Sequence, residues 1–460
     1  MRKGIAITIG AVVLCAGTYV LLQTGAEQSS EKTASVMAGK QNKENKSPVS
    51  SPSVSSEDEN QELTFIRDGY KAGNQNGYYY FSDDRAHIKY FDYESRKEIY
   101  LCNKPNCNHD SESCSSYLNS GVSPDIFADE NFLYLTEGSS DAEVVVMNAN
   151  EENEMNLSTL QTEITVLYRM NLDGTEKTKL YECPSGVQMG MPYLKQGNIL
   201  YAQFTVSKQI ETNPNSYSMV DSEKKLVKIN LETGEYEEVA DTLNKEILGA
   251  YGNKILWMET LYKQNPNDFI NDDQGWRDNL YQSTARISLF DPRTGQETMI
   301  TEDHYKNLET ITFDGLNLYV ISEGSQKVEK ISIENKERSV FAELPKSGAY
   351  VQDIYDRKLQ YVYYDLDSDE AKVESAGYIN LDTGENQAFT LIDDSGILVE
   401  ILDQTDTHYF VRTGYKMSKE YTTWAGTKQR DIEETYYGLI RKEDYWNSKA
   451  EYLPMETMQN

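Results

Sequence analysis

Basic side chains, histidines and known catalytic motifs are scarce in this chain. Against 75 Asp and Glu there are only 44 Lys and Arg, which gives a formal net charge of −31 over 460 residues. Nucleic-acid binding needs a basic surface, and no basic stripe interrupts the acidity, so nucleic acid is excluded as a partner. The four histidines adjoin no plausible nucleophile, and Gly-x-Ser-x-Gly, His-Glu-x-x-His and phosphate-binding glycine loops are absent. The sequence therefore indicates no catalytic residues.

Long apolar runs are also missing, except at the N-terminus. Residues 4–22 contain no charged side chain and follow directly on Arg2 and Lys3. A bilayer-spanning helix needs about 20 apolar residues, and basic residues before it keep its N-terminus in the cytoplasm. Residues 1–25 are therefore predicted to be a transmembrane signal-anchor. It would place the protein at the cell membrane, single-pass, with its C-terminal domain extracytoplasmic.

Two other fates of this N-terminal helix remain open. Thr24, Gly25 and Ala26 are small enough for a signal peptidase, and a cleaved chain would be secreted. Cys15 raises the possibility of lipid attachment, although Leu14 stands where a lipoprotein signal has Gly, Ala or Ser.

Residues 26–61 are rich in Ser, Lys, Glu, Gln and Asn and are predicted to be a disordered linker, because they have too little apolar surface to bury.

A repeated polar turn is the main structural signal after residue 62. The sequence Asp/Glu-Thr-Gly favours a turn, because the side chain of its first residue hydrogen-bonds to the nearby backbone and Gly readily adopts a positive φ. The clear copies are residues 170–176 (MNLDGTE), 229–235 (INLETGE), 289–296 (LFDPRTGQ) and 379–385 (INLDTGE), and weaker ones are 93–96, 333–336 and 445–448.

Aromatic strands precede these turns in each unit, as in residues 131–134 (NFLY), 198–201 (NILY) and 316–319 (LNLY). Counting the units gives seven, which begin near residues 65, 122, 190, 246, 307, 349 and 397. Their spacing suits four-stranded blades. Residues 62–460 are thus predicted to be an all-β domain, a seven-bladed β-propeller, with an open β-sandwich or two smaller domains as the alternative.

Additional features follow from the repeat. Polar insertions at residues 139–161, 207–224, 263–283 and 417–434 fall at one point of the unit, which in a propeller places them on one face. Residues 62–67 (ELTFIR) are expected to add a strand to the last blade and so lock the ring.

One segment is chemically distinct: Cys102, Cys107, His109 and Cys114 lie close together, and Cys183 is the remaining cysteine after the anchor. An even number of exported cysteines favours disulfide bonding among Cys102, Cys107, Cys114 and Cys183. Three cysteines and a histidine are also a competent tetrahedral zinc set, although Cys-x4-Cys-x-His-x4-Cys is not a common spacing. Free thiols are the third alternative. No cofactor is expected otherwise.

This segment, Cys102, Cys107, His109, Asp110 and Cys114, resembles the Cys-x4-Cys-x-His-Asp-x3-Cys motif of a domain-of-unknown-function family. The members of that family are propeller-like repeat proteins, exported or membrane-anchored, of Gram-positive bacteria. The resemblance covers the repeat region and implies a propeller fold and a surface location, with lipid attachment frequent. It implies no activity.

The sequence leaves two functions open, and catalysis is uncertain. A rigid propeller with exposed aromatic residues suits a non-enzymatic module that binds a protein, peptide or glycan. The alternative is an extracellular carbohydrate-active hydrolase or lyase that uses carboxylates at one propeller face. An axial pocket in which carboxylates meet Arg or His would favour the enzyme, whereas a plugged axis would favour the binding module.

Overall fold

The computed structural model describes residues 61–67, 71–82, 86–111, 113–118, 124–138, 148–149, 155–156, 164–213, 216–270, 272–365, 372–393, 396–419, 421–422, 428–429 and 432–458. The predicted anchor, residues 1–25, and the linker up to residue 60 lie outside these residues. Within the described part of the chain, no helix is both long and apolar enough to cross a bilayer.

Seven antiparallel sheets of successive strands form a β-propeller, which confirms the predicted fold class and the number of blades. The strands of blades 1 to 7, in chain order, are Lys71–Gly73, Gly77–Phe81, Ile88–Asp92 and Lys97–Tyr100; Ile126–Ala128, Phe132–Gly138, Thr165–Asn171 and Thr178–Glu182; Gln188–Gln196, Ile199–Asn213, Ser216–Asn230 and Tyr236–Asp241; Lys245–Tyr251, Lys254–Leu261, Thr284–Asp291 and Gln296–His304; Thr310–Phe313, Asn317–Ile321, Lys327–Ser332 and Arg338–Glu343; Tyr350–Tyr355, Lys358–Asp365, Lys372–Asn380 and Asn386–Phe389; Glu400–Gln404, His408–Met417, Ile432–Arg441 and Tyr452–Pro454.

The second strand of every blade carries a buried aromatic residue at the repeated position. Stacked blades bury both sheet faces, so large flat side chains fill the space between neighbouring blades. The hydroxyl of Tyr319 donates to Asp314, and that of Tyr134 donates to Asp129, which supplies each buried phenol with an acceptor. The aromatic residues, all at most 4 % exposed, are Tyr79, Tyr134, Tyr201, Trp257, Tyr319, Tyr361 and Phe410.

At two copies of the repeated turn, the glycine packs against the preceding blade. Gly234 has φ +73°, and a Cβ atom there would lie 2.0 Å from the carbonyl oxygen of Leu180 in the outer strand of the preceding blade. Gly174 approaches Leu101 in the same way, since a Cβ would meet that carbonyl oxygen at 2.6 Å. The turn sequence therefore encodes both a hairpin and close blade packing.

The N-terminal strand does not join the last blade, so that expectation was wrong. Thr64–Ile66 pairs antiparallel with Gln188–Gln196, the first strand of blade 3. The added strand also contacts Lys245–Tyr251, the first strand of blade 4, so it lies along the inner edge of blades 3 and 4. The physical reason is local: Leu63 is buried in the core between blades 3 and 4, and its amide donates to the carbonyl of Gly252 at 3.0 Å.

Ring closure instead involves the C-terminal tail. The amide of Glu98, in the outer strand of blade 1, donates to the carbonyl of Glu456 at 2.9 Å, and the amide of Glu456 donates to Arg96 at 2.8 Å. Met455, just before this bridge, is 7 % exposed and packs between blades 1 and 7. Its core neighbours are Tyr78, Phe91, Phe410 and Leu439.

The insertions occur between second and third strands, as predicted, and the insertion of blade 4 contains helical elements. Blade 4 holds the 3-10 turn Pro266–Phe269 and the helix Asp273–Gln282, and Tyr305–Asn307 forms another 3-10 turn after it. In blade 3 the insertion extends both strands into a long hairpin. The short pairs Asn148–Ala149 with Met155–Asn156, and Tyr421–Thr422 with Lys428–Gln429, lie in the insertions of blades 2 and 7.

One predicted turn is a helix. Residues 445–448 were expected to be a degenerate hairpin turn, but the structure has the helix Lys442–Trp446 there. The reason is burial: Tyr445 and Trp446 pack in the core of blades 6 and 7, and the Trp446 indole donates to Tyr409 Oη at 2.9 Å.

Candidate metal centre

The Cys/His segment, residues 101–118, connects the outer strand of blade 1 to blade 2. Leu101 and Leu118 at its two ends are each 3 % exposed in one core cluster. The amide of Ile88 donates to the carbonyl of Ser116 at 2.8 Å, and His87 forms a bridge with Tyr117. The segment is thus held against the connection between the second and third strands of blade 1, and its middle is free to form a compact loop.

Four side chains of this loop converge. One ligand atom each from Cys102, Cys107, His109 and Cys114 lies within 4.8 Å of all the others. His109 Nδ1 is 3.2 Å from Cys114 Sγ, so Nδ1 is the imidazole atom on the inside of the cluster. Three thiols and one imidazole around a common centre are a ligand set that suits tetrahedral zinc, and the cluster can hold a metal ion. The sequence had singled out these four residues.

Surrounding groups orient the cluster. His87 Nε2 donates to the carbonyl of His109 at 2.6 Å, and the Tyr100 ring stacks on the His109 imidazole with centroids 4.3 Å apart. Ser116, fully buried, is hydrogen-bonded to Cys114, with Oγ and Sγ 3.7 Å apart. Outer groups of this kind fix ligand geometry in metal sites. No sequence pattern marks His87, which becomes a neighbour of the cluster only through its bridge with Tyr117.

The thiols differ in acidity. Burial alone would raise the pKa of Cys102, but hydrogen bonds from the Lys104 amide and from the neighbouring cysteines outweigh it and lower that pKa. Burial raises the pKa of Cys114, despite hydrogen bonds from Ser116. Burial lowers the pKa of His109, and the nearby His87 adds to this effect, so the imidazole favours its neutral, metal-binding form.

The expected disulfide bonding is not what the structure has. Cys102, Cys107, Cys114 and Cys183 are all free cysteines, and no disulfide joins residues of the described chain. The physical reason is placement: three sulfurs share one cluster with an imidazole, whereas Cys183 is 2 % exposed in the core between blades 2 and 3. Burial, with a contribution from Glu182, raises the pKa of Cys183 to about 12, so this thiol behaves as an apolar core group.

A cleft of about 530 Å³ adjoins the cluster. Cys114 and Lys104 belong to its wall on the side of the Cys/His segment, and Glu137, Tyr168 and Lys177 belong to its wall on blade 2. Lys177 Nζ lies 2.5 Å from Glu137 Oε1 and 4.5 Å from the centroid of the Tyr168 ring. No sequence motif marks these blade 2 residues, because Glu137 and Tyr168 come from two different strands and Lys177 from the turn that follows them.

An ion pair near the propeller axis holds the segment that follows the N-terminal strand. Arg67, just after the N-terminal strand, pairs with Asp353 in the first strand of blade 6 at 3.1 Å. The segment thus reaches from blade 3 to the opposite side of the ring. The axis therefore contains a chain segment with its own ion pair.

Comparison with known proteins assigns this chain to no family. No protein-family model and no curated protein sequence matches the chain. It is similar in structure to a puromycin-hydrolyzing peptidase of Mycobacterium tuberculosis, with 11 % identity and a TM-score of 0.47, over 88 % of this chain and 55 % of the peptidase. This chain therefore spans about half the length of that peptidase.

Two further solved structures are similar at comparable identity. An oligogalacturonate lyase from Vibrio parahaemolyticus has 12 % identity and a TM-score of 0.43, over 83 % of this chain and 92 % of the lyase. The β-propeller domain of the Trilobed protease from Pyrococcus furiosus has 12 % identity and a TM-score of 0.33, over 58 % of this chain and 70 % of that one. Similarity at this level concerns architecture and carries no statement about activity.

Proposed function

We propose that this protein is a membrane-anchored, extracytoplasmic binding module whose propeller presents a zinc-stabilised face to a protein, peptide or glycan ligand. The observation that carries the proposal is that the N-terminal segment and the Cys/His segment lie on opposite faces of the propeller. The N-terminal segment enters at one face, and the Cys/His segment and the insertions belong to the other. The membrane anchor predicted at residues 1–25 would then leave the second face directed away from the membrane.

The direction of the N-terminal strand supports this orientation. Gln61 accepts a hydrogen bond from Gln196 Nε2 at 2.7 Å, and Leu63 contacts Gly252, which lies in the turn between the first and second strands of blade 4. Connections between second and third strands lie at the opposite ends of these strands. His87 lies in such a connection, and its imidazole donates to the carbonyl of His109, which is a residue of the cluster.

Zinc at the Cys/His cluster is the second part of the proposal. Cys102, Cys107, His109 and Cys114 supply four protein ligands, which is the closed set of a structural zinc site rather than the open set of a catalytic one. Zinc binding would also keep the thiols from oxidation outside the cytoplasm, because coordinated thiolates are not available to pair.

The alternative of a carbohydrate-active hydrolase or lyase needs reactive carboxylates at an accessible face. The N-terminal strand, which pairs with blade 3, and the ion pair of Arg67 with Asp353 occupy part of the axial position that such a site would use. We therefore favour binding over catalysis.

Metal analysis of the purified full-length protein tests the zinc site. We expect one zinc per chain, with Cys102, Cys107 and Cys114 unreactive to thiol reagents until a chelator is added. Cys107→Ser should abolish stoichiometric zinc, whereas the matched control Cys183→Ala should retain it. A metal-free protein in which thiol titration finds disulfides would overturn this part of the proposal.

Reporter fusions test the location. Alkaline phosphatase, which is active only outside the cytoplasm, should be active when fused after residue 61, and the fusion should remain in the membrane fraction. Activity found only in the culture medium would indicate a cleaved signal, and an inactive fusion would contradict export.

A further inference from the structure

We infer that the cleft between the Cys/His segment and blade 2 binds a short, uncharged saccharide. This inference deepens the proposed binding function by naming the ligand class of the face that holds the zinc cluster. The volume of about 530 Å³ lies within the roughly 300–1,000 Å³ of small-molecule sites. One wall, which includes Cys114, belongs to the metal centre, so the shape of the cleft depends on the cluster.

The charged groups of the cleft cancel, which argues against a charged ligand. Glu137 and Glu176 balance Lys104 and Lys177 among the lining residues. The side chain of Glu137 is only 7 % exposed and its partner Lys177 is 26 % exposed, at a separation of 2.5 Å. A charged ligand would have to compete with this close pair and would gain little net Coulomb energy.

Hydroxyl groups match the same set of atoms better. A carboxylate only accepts hydrogen bonds and an ammonium only donates, whereas a sugar hydroxyl does both. Glu137 and Lys177 side by side therefore offer a hydroxyl one acceptor and one donor. Tyr168 and Tyr117 add aromatic surface for the apolar face of a sugar ring, and Ser113 and Ser115 add further hydroxyls along the segment.

The cleft is held open by contacts that do not involve a ligand. Gly174, in the blade 2 turn at one end, packs so closely on Leu101 that no side chain could be inserted. Ser115 Oγ donates to the carbonyl of Leu101 at 2.9 Å, and Lys104 Nζ donates to the carbonyl of Ser113. The walls are thus preformed, which lowers the entropy cost of binding.

Calorimetry with the full-length, zinc-loaded protein in detergent tests the inference. The probes are cellobiose, maltose and N,N′-diacetylchitobiose, with digalacturonate and glycylglycine as charged comparators. We expect one of the uncharged disaccharides to bind with one site per chain, and both charged probes to bind at least tenfold more weakly. Glu137→Gln and Lys177→Met should each weaken that binding about tenfold, or about 1.4 kcal/mol.

Lys179→Met and Glu182→Gln are matched controls, because these residues form an exposed pair at 2.7 Å on the neighbouring part of blade 2. They should leave the affinity unchanged. Tyr168→Leu, which removes the aromatic ring, is the second variant if Glu137→Gln does not fold, and it should weaken the binding about tenfold as well. The inference would be overturned if only a charged probe bound, or if none of the disaccharides bound. It would also be overturned if the affinity were unchanged in all cleft variants. None of these results would affect zinc content or export, so the proposed function is judged separately.

Discussion

Arg357 Nη1 lies 2.7 Å from Asp314 Oδ2, and this ion pair joins the first turn of blade 5 to the first turn of blade 6. The Asp314 side chain is 1 % exposed and also accepts from the hydroxyl of Tyr319 at 3.0 Å. Asp129 in blade 2 makes the same set of contacts, with Tyr134 in its own blade and Lys195 in the next. An aspartate, a buried aromatic residue's hydroxyl and a cation therefore form a repeated connection between blades.

Asp314→Asn should lower the free energy of unfolding by about 3 kcal/mol at pH 7, because it leaves a buried hydrogen-bond network without its charge. Urea unfolding measures the change. Asp382→Asn removes the other, exposed partner of Arg357 and should cost less than about 0.5 kcal/mol. Equal losses in the two variants would contradict the importance of burial.

The Asp314 contribution should depend on pH. Burial alone would raise the pKa of Asp314, but the amides of Asn317 and Leu316 and the side chains of Arg357 and Tyr319 outweigh it and lower the pKa. A lowered folded-state pKa stabilises the protein above the unfolded pKa of about 3.9, and this stabilisation is lost as pH falls through the folded pKa. The difference between wild type and Asp314→Asn should therefore be constant from pH 7 to about pH 5 and decrease in more acidic solution. A difference that grows on acidification would contradict the assignment.

Two glycines of the repeated turn should respond differently to alanine. Gly295 has φ +69° and nothing near its missing Cβ, so Gly295→Ala should lower the free energy of unfolding by only about 1 kcal/mol, the cost of a left-handed backbone at a residue with a Cβ. Gly234 has the same backbone conformation, but its Cβ would collide with the Leu180 carbonyl, so Gly234→Ala should cost at least about 2 kcal/mol more. Denaturant midpoints of both variants provide the comparison, and equal values would show that blade contact at this turn is unimportant.

Met455→Ala should weaken ring closure. Its side chain is buried between blades 1 and 7, and truncation of a buried methionine costs about 2–5 kcal/mol. Met299→Ala, at a 51 % exposed position on blade 4, is the control and should change stability by less than about 0.5 kcal/mol. Hydrogen exchange should accelerate in the outer strand Lys97–Tyr100 of the Met455 variant, and protection there equal to wild type would exclude a closing role for the tail.

Removal of the proposed zinc should act locally. Leu101 and Leu118 remain buried at the ends of the Cys/His segment, so the propeller should stay folded when a chelator removes the metal. Hydrogen exchange should become at least tenfold faster for amides between these two leucines and stay unchanged in blade 5. Global unfolding on chelation, or no change in the segment, would contradict a structural metal confined to this loop.

Much of the architecture was predictable because it repeats. The Asp-Thr-Gly turns and the aromatic strands identify the blades, since turn conformation and alternating burial are local properties of the chain. The helix at Lys442–Trp446 was missed because only the surrounding core shows that Tyr445 and Trp446 are buried. The strand at residues 64–66 was recognised, but its pairing with blade 3 depends on an axial opening that exists only after the ring has formed.

The candidate site, like the fold, was predictable from the sequence only in part. The sequence by itself determined the four cluster residues, Cys102, Cys107, His109 and Cys114, because their chemistry and proximity in the chain set them apart. It did not decide between metal binding and disulfides, which depends on how side chains are oriented. Only the tertiary structure brought the four ligand atoms together, separated Cys183 from them, and placed Glu137 and Lys177 of blade 2 beside them to form a cleft. Such contacts between distant parts of the chain arise from blade packing, which no local sequence pattern encodes.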